Sequence, residues 1–339
     1  MLLPTGLDKT LEGSLVSLLQ LKTSLTLIIA HHNDKVSEKL LDISSDELRL
    51  KLYALLRPSG DSFIPKRLEN TCECIWSHDT FSKWLDDQAS APRDDMSRIL
   101  CLYGVKGCGK SVLVKSIAED LRDRGKIASH FSFWSGSETQ RKLLDFLRTL
   151  LWQLLSCLPE SETRQLARSL SNEASINESN VFKAIQGVLG LVKSDLYCII
   201  DGIDESTDDW NSHRDGSLRT VLDILKSHPR LYLLMSGREA SMRTLLKGSS
   251  PNLELIENLT RGGINKLIAA ELDSALTIQT LEIKVMAQKS LGEKSQVMFL
   301  WTTLISKELR RCFSVEEIRS TLNQLPRDLD RQYHRLLLQ

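Results

Sequence analysis

The spacing of apolar residues changes several times along the chain, and each change marks a new kind of segment. In residues 11–56 apolar positions recur every three or four residues, which is typical of amphipathic helices. Residues 44–47 (SSDE) have the composition of a helix N-cap, so a helix is predicted to begin there. After a linker at 57–61, a further helical segment is predicted around Trp76 to Leu85.

Short apolar runs replace the helical spacing in the middle of the chain. Such runs predict buried parallel strands when helical segments separate them. The predicted strands are 99–103, 127–134, 196–200, 231–235 and 253–256, and the predicted helices between them are 111–121, 141–158, 180–192 and 218–225. This alternation predicts an α/β fold with a mostly parallel sheet covered by helices on both faces.

The last part of the chain returns to helical spacing. From residue 262 onward no strand pattern is evident, so an all-α extension is predicted. The predicted organisation is an N-terminal helical segment (1–67), an α/β core (68–258) and a C-terminal helical extension (259–339).

The composition is that of a soluble globular protein and does not point to a polyanionic partner. Hydrophobic residues make up 41% of the 339 residues and charged residues 26%, which can supply a sizeable core. Lys plus Arg and Asp plus Glu are equal at 44 each, so no overall field favours nucleic acid or a membrane surface. The apolar stretch near the N-terminus falls short of the about 20 residues that span a bilayer. No nucleic-acid partner and no membrane span are expected.

Seven cysteines are scattered along the chain without a regular spacing, which is typical of reduced thiols in the cytoplasm. Cys72 and Cys74 are the only close pair, and no second pair or histidine pair completes a zinc site around them. A cytoplasmic location is therefore expected.

A glycine-rich sequence follows the first predicted strand and matches the phosphate-binding pattern G-x-x-x-x-G-K-[ST]. Glycines let backbone N–H groups point inward around an anion, and the helix that follows adds its positive N-terminal end. Lys110 is expected to reach the β- and γ-phosphates, and the Ser111 hydroxyl is expected to bind magnesium. The predicted nucleotide-binding residues of this loop are Gly104, Gly107, Cys108, Gly109, Lys110 and Ser111.

An acidic sequence, Asp201-Gly202-Ile203-Asp204-Glu205, follows the third predicted strand and is called the acidic turn below. Ligands collect at the carboxyl ends of parallel strands, so Asp201 is predicted to hold a magnesium ion directly or through water. Asp204 and Glu205 are predicted catalytic residues that orient the attacking water or take its proton. The alternative is that these carboxylates only stabilise the start of a helix. Carboxylates crowded beside a phosphate site repel one another without a cation, which favours magnesium.

Arg238 follows the fourth predicted strand, in Leu234-Met235-Ser236-Gly237-Arg238. An arginine at that edge can contact the γ-phosphate and sense whether it is present. The spacing alone leaves open the alternative that Arg238 is an ordinary surface residue.

With these motifs in place, the chain resembles the NACHT-domain nucleotide-binding proteins of filamentous fungi. These proteins belong to the signal-transducing (STAND) class of P-loop ATPases, and their N-terminal half is similar to that of nephrocystin-3. The resemblance spans about residues 68–338. Besides the phosphate loop and the acidic turn, it rests on ENTCECIW (69–76), FSKWL (81–85), HFSF (130–133), LRTLLWQL (147–154), MFLW (298–301) and LPRDL (325–329).

The resemblance implies a slowly hydrolysing ATP-dependent switch, with GTP as the other candidate nucleotide. An inactive form would hold diphosphate, and exchange would open the chain for homo-oligomerisation and signalling to a protein effector. The resemblance also implies that Asp201, Asp204 and Glu205 handle magnesium and water, and that Arg238 is a sensor. Residues 68–258 would be the NACHT core, and the helices after residue 259 would lead towards a truncated winged-helix region.

The chain departs from the family pattern around the sensor arginine. Where the family usually has Ser-Ser-Arg-Pro or Thr-Ser-Arg-Pro, residues 236–239 are Ser-Gly-Arg-Glu. Two other functions remain open: a non-hydrolysing scaffold that keeps nucleotide for stability, and a P-loop phosphotransferase. The long helical additions and the Asp-Gly-x-Asp-Glu form of the acidic turn disfavour the phosphotransferase.

Overall fold

The computed structural model describes residues 45–60, 63–85, 95–171, 176–208, 217–246, 252–254, 257–275, 280–295 and 298–325. The chain divides into two compact units, one within residues 1–58 and 147–191 and the other within residues 59–146 and 192–339. The domain boundaries predicted at residues 67 and 258 remain a prediction. The amphipathic helix predicted before residue 44 lies outside the described residues.

The described residues form five strands and twelve α-helices. The strands are β1 (Ile99–Tyr103), β2 (Ile127–Ser132), β3 (Leu196–Asp201), β4 (Leu231–Gly237) and β5 (Asn252–Glu254). The helices are α1 (Ser45–Leu56), α2 (Asp79–Leu85), α3 (Lys110–Asp123), α4 (Leu143–Leu155), α5 (Glu160–Ser171), α6 (Glu178–Leu191), α7 (Leu218–Ser227), α8 (Glu239–Leu246), α9 (Glu257–Ala275), α10 (Leu281–Lys294), α11 (Phe299–Leu309) and α12 (Val315–Asn323).

The five strands form one sheet, in the order β2-β3-β4-β1-β5, and every pairing is parallel. The predicted α/β fold with a mostly parallel sheet is therefore confirmed. Strand β4 lies between β1 and β3, in register with both: Ser236 is opposite Leu102 of β1, and Met235 is opposite Ile200 of β3. The carboxyl ends of β1, β3 and β4 consequently meet at one edge of the sheet.

Apolar side chains on alternate positions of the strands hold α3 against one face of the sheet. Leu100 and Leu102 of β1 belong to a buried cluster with Leu113 and Ile117 of α3 and with Trp84 of α2. The side chain of Cys101 points to the opposite face, because side chains alternate along a strand. There it lies near Lys226 of α7, and burial raises the pKa of its thiol to about 12.

The C-terminal helices α9 to α12 have a hydrophobic core of their own. Their buried residues are Ile264, Ile268, Leu272, Ile283, Ala287, Leu291, Met298, Trp301, Ile305, Leu309, Cys312, Ile318, Leu322 and Leu325. Helix α12 begins with a capping box in which Ser314 and Glu317 satisfy each other's backbone N–H groups. The predicted all-α extension is confirmed for these residues.

The differences from the sequence-based prediction include three elements. Strand β2 ends at Ser132 and not at residue 134, because the chain turns there into a loop that Trp134 closes by donating its N–H to the Gln140 carbonyl (2.9 Å). Helices α5 and α8 were not predicted, since α5 is mostly polar and α8 follows the fourth strand after a single residue.

No described helix has the length and apolar character that crossing a membrane requires.

Candidate nucleotide-binding site

The phosphate loop connects β1 to α3, as the motif requires. Gly107 and Gly109 have φ angles of 79° and 89°, a left-handed conformation that side-chain-bearing residues rarely adopt. Gly109 is the N-cap of α3 and offers no side-chain cap, and the first turn of the helix has no acidic residue. The N–H groups at the start of α3 are therefore left for an anion, which is what phosphate binding needs.

Lys110 and Ser111 lie in the first turn of α3, where the motif places them. The Lys110 ammonium donates to the backbone carbonyls of Gly104 (2.8 Å) and Val105 (3.1 Å), so its side chain folds back along the loop. These acceptors are neutral, and a phosphate oxygen at the loop would be a stronger partner for the ammonium. The Ser111 hydroxyl makes no hydrogen bond to another described residue, so it is available to a ligand.

Cys108 faces the protein interior. Its side chain is buried in the apolar cluster that joins the sheet to α3. Burial raises the pKa of its thiol, while the nearby Lys110 ammonium lowers it. Its N–H donates to the Val105 carbonyl (3.3 Å), which closes a turn within the loop. Cys108 therefore shapes the loop through its backbone and its packing.

Asp201 is the last residue of β3, and its carboxylate is buried with only 2% of the residue exposed. The hydroxyl of Ser236 on β4 donates to Oδ1 of Asp201, and the Gly202 N–H donates to the same hydroxyl (3.3 Å). Oδ2 of Asp201 has no hydrogen-bond partner among the described residues. The sequence analysis did not identify Ser236 as a site residue. The one sign of its role in the sequence was a polar residue within an apolar strand.

Asp204 contacts Arg238 through both of its carboxylate oxygens. Oδ1 accepts from the Arg238 N–H (3.1 Å), and Oδ2 lies 3.1 Å from the Nε of the guanidinium. Gly237 makes this approach possible, because a Cβ there would lie 2.7 Å from Oδ1 of Asp204. The Arg238 side chain is otherwise open to solvent, with 78% exposed. The structure thus joins two residues that the sequence treated as separate candidates.

Glu205 is bound to the loop that follows β2. Its Oε2 accepts the backbone N–H of Ser135 (2.7 Å), and nearby Thr207 donates to the carbonyl of Arg141. Residues Ile203–Glu205 form a single 3₁₀ turn with no side-chain cap, so these carboxylates do not cap an α-helix. The acidic turn is fixed by contacts to β4 and to the loop after β2.

The oxygen groups at this edge suit magnesium. Among the described residues no cluster of three or more His, Cys, Asp or Glu side chains is arranged to hold a metal. Magnesium needs no such cluster, since it usually combines one or two carboxylates with phosphate oxygens and water. The buried Asp201 carboxylate with its second oxygen unbonded, and the open Ser111 hydroxyl, fit that donor set.

Helix α11 lies against the phosphate loop, which the sequence did not indicate. The N–H of Leu300 donates to the Gly107 carbonyl (3.2 Å). The ring of Phe299 packs on Gly109 and on Gly263 of α9, since a Cβ at either glycine would lie 3.1 Å from a ring carbon. The C-terminal helices are therefore in direct contact with the residues that would surround a phosphate.

The chain is similar to a known family over nearly half of its length. A sequence model of the family described as "Nephrocystin 3, N-terminal" matches residues 70–238. No curated protein matches the chain. This match agrees with the resemblance stated above, whose fungal origin and signalling class remain predictions.

Two solved structures that are similar to the chain share little sequence with it. A Walker-type ATPase of Pyrococcus abyssi is 11% identical, with 76% of this chain and 73% of that chain covered and a TM-score of 0.47. PCH-2 of C. elegans is 15% identical, with 86% of this chain and 68% of that chain covered and a TM-score of 0.37. TM-scores this low do not bear on activity.

The matched residues contain the phosphate loop, the acidic turn and Arg238. The sheet brings all three to the carboxyl ends of β1, β3 and β4, where ligands of parallel sheets bind. The chain is a P-loop NTPase by fold, and over residues 70–238 it is similar to the N-terminal region of nephrocystin 3.

Proposed function

We propose that the chain is a cytoplasmic, nucleoside-triphosphate-binding molecular switch of the NOD-like (STAND) signalling type. Its ligand is ATP or GTP with magnesium, and its hydrolysis is slow. The bound nucleotide controls homo-oligomerisation and thereby the contact with a protein effector.

The contact between α11 and the phosphate loop is the observation that carries this proposal. The N–H of Leu300 donates to the Gly107 carbonyl, and the ring of Phe299 packs on Gly109. A phosphate in the loop reorients the backbone around these two glycines, so its arrival is transmitted to the first turn of α11. Because α11 belongs to the core of the C-terminal helices, those helices respond as a group.

The partners of the acidic residues support slow hydrolysis and a sensing role for Arg238. Glu205 and Asp204 are predicted to handle the attacking water, yet their carboxylates accept N–H groups of Ser135 and Arg238. These bonds restrict how far either carboxylate can turn towards the attacking water. Triphosphate competes with Asp204 for the exposed Arg238 guanidinium, and diphosphate competes less because it lacks the γ-phosphate.

The test compares the hydrodynamic size of the protein with diphosphate and with a non-hydrolysable triphosphate. Binding is established first by thermal shift, since nucleotide at 100 times its Kd stabilises the fold by about 2.7 kcal/mol. We expect the wild type to differ in elution volume between the two nucleotides. Phe299→Ala should bind both nucleotides and lose most of that difference.

Phe313→Ala is the matched control, because Phe313 is a phenylalanine of the connection between α11 and α12 with 76% of its surface exposed. It should keep the wild-type difference between the nucleotides. Identical elution of the wild type with both bound nucleotides would favour the non-hydrolysing scaffold. Loss of the difference in Phe313→Ala as well would show that the α11 contact is not the route.

A further inference from the structure

Ser236 is a polar residue in a strand that is otherwise apolar. Strand β4 is buried along its whole length, and Ser236 itself is 0% exposed. A buried hydroxyl is unfavourable unless it is hydrogen-bonded. The bonds that Ser236 makes should therefore indicate why a hydroxyl is present at this position.

Both bonds of Ser236 end at the start of the acidic turn. Its single proton is donated to Oδ1 of Asp201, and its oxygen accepts the N–H of Gly202 at 3.3 Å. The hydroxyl therefore fixes both the carboxylate and the backbone that follows it. With Oδ1 bound in this way, Oδ2 is the oxygen without a partner among the described residues.

The position of β4 in the sheet places this bond between the two halves of the site. Ser236 is opposite Leu102 of β1, the strand that leads into the phosphate loop, and its hydroxyl bonds to the end of β3 on the other side. Neighbouring strands lie about 4.8 Å apart, so Asp201 is roughly 10 Å from β1. An aspartate at that distance reaches a phosphate-bound cation only if its carboxylate is held in one orientation.

We propose that Ser236 is a positioning residue for magnesium: it binds Oδ1 of Asp201 so that Oδ2 faces the cation that accompanies the nucleotide. This inference rests on the proposed function, since it requires a magnesium nucleotide at the phosphate loop. Residues that hydrogen-bond a metal ligand commonly change metal affinity by about 10- to 100-fold when removed.

The experiment measures triphosphate binding by calorimetry in chelator and across a magnesium titration. Ser236→Ala should bind metal-free triphosphate within about twofold of the wild type, because the phosphate loop is untouched. Its magnesium midpoint should rise by about tenfold. Ser236→Thr keeps a hydroxyl and should restore a midpoint close to that of the wild type.

Ser129→Ala is the matched control. Ser129 is a buried serine of β2 whose hydroxyl donates to the Tyr197 carbonyl (3.4 Å). Its removal creates a similar small cavity in the same sheet, and its magnesium midpoint should equal that of the wild type. Ser236→Cys, which keeps the size of the side chain with a weaker donor, should give an intermediate midpoint and replaces Ser236→Ala if that variant does not fold.

The outcomes separate the two proposals. A wild-type magnesium midpoint in Ser236→Ala or Ser236→Cys would overturn the positioning role while the proposed function stands. An equal rise in Ser129→Ala would overturn it too, since any buried hydroxyl would then have the same effect. If the wild type binds no triphosphate even without metal, the proposed function fails, and the positioning role fails with it.

Discussion

The phosphate loop and the acidic turn lie at the same edge of the sheet but are held in different ways. The loop is shaped from within: two glycines adopt left-handed φ angles, and Lys110 donates to carbonyls five and six residues before it. The acidic turn is held from outside. Asp201 and Asp204 bond to residues 35 and 34 positions away, and Glu205 bonds to a residue 70 positions away.

This difference separates a site that is open to its ligand from one that is already occupied by the protein. The start of α3 has uncapped N–H groups and Ser111 has an open hydroxyl, so the loop has unused hydrogen-bonding capacity. Each carboxylate of the acidic turn already accepts a donor from another element. Nucleotide should therefore bind first at the loop. Asp204 and Glu205 should respond to it by exchanging partners, whereas Asp201 keeps its bond to Ser236 and offers its second oxygen.

The largest effect is expected for Lys110→Ala, which removes the cation of the loop. Charge-assisted hydrogen bonds contribute about 1.5–3 kcal/mol each, so the loss of contacts to two phosphates should weaken triphosphate binding by about 100-fold or more. Lys106→Ala is the control, because it removes the same charge from an exposed position of the same loop. Calorimetry with ATP and GTP gives both affinities. Unchanged affinity in Lys110→Ala would refute the loop as the binding site.

The next effect concerns metal. Asp201→Asn keeps the shape of the side chain but removes the negative charge that binds a cation. We expect a loss of at least about tenfold in the magnesium affinity of the nucleotide complex, because removing the charge of the ligand costs no less than removing its hydrogen-bond partner. Triphosphate binding in chelator should stay close to that of the wild type. A metal titration that matches the wild type would show that the acidic turn does not hold the ion. The phosphate loop alone would then bind the nucleotide.

The same difference explains how far the sequence could be interpreted. The phosphate loop consists of eight consecutive residues between a predicted strand and a predicted helix. Both the motif and its structural context could therefore be predicted from the sequence. The strands carried clear apolar runs, and their parallel pairing was confirmed. The partners of the acidic turn depend on the order of strands in the sheet, which no local pattern encodes. Ser236 and Ser135 become neighbours of the acidic turn only after folding.

The contact of α11 with the phosphate loop was missed for the same reason. Phe299 fits the apolar pattern of a core helix, and its spacing gives no sign that the ring covers Gly109. Nearly 190 residues separate these two positions. The polar helix α5 shows the other limit, since a helix with few apolar residues lacks the periodic signal on which the prediction relied.

A stability measurement tests the α11 contact without nucleotide. Gly109→Ala and Gly125→Ala both place an alanine at a left-handed φ, which costs about 1–2 kcal/mol. At Gly125 the new Cβ meets nothing within 4 Å, whereas at Gly109 it lies 3.1 Å from the ring of Phe299. Urea unfolding should therefore show a larger loss for Gly109→Ala, by about 1 kcal/mol. Equal losses would mean that the ring moves away freely.

The smallest effect should appear at the acidic turn in Asp204→Asn, which weakens the hold on Arg238. Ion pairs at the protein surface contribute about 0.2–1 kcal/mol, so releasing the guanidinium should raise the ratio of triphosphate to diphosphate affinity by about 1.4- to fivefold. Glu239→Gln is the control, since it removes the charge of another carboxylate paired with an exposed arginine, Arg243 on α8. Its ratio should equal that of the wild type.

The sign of this effect tests the assignment of Asp204. If Asp204 acts mainly by restraining Arg238, the gain should vanish when Asp204→Asn is combined with Arg238→Ala, because no guanidinium remains to be released. If the ratio falls in Asp204→Asn, the carboxylate itself contributes to triphosphate binding. The acidic turn would then resemble the phosphate loop in being open to its ligand, and the contrast between the two regions would be lost.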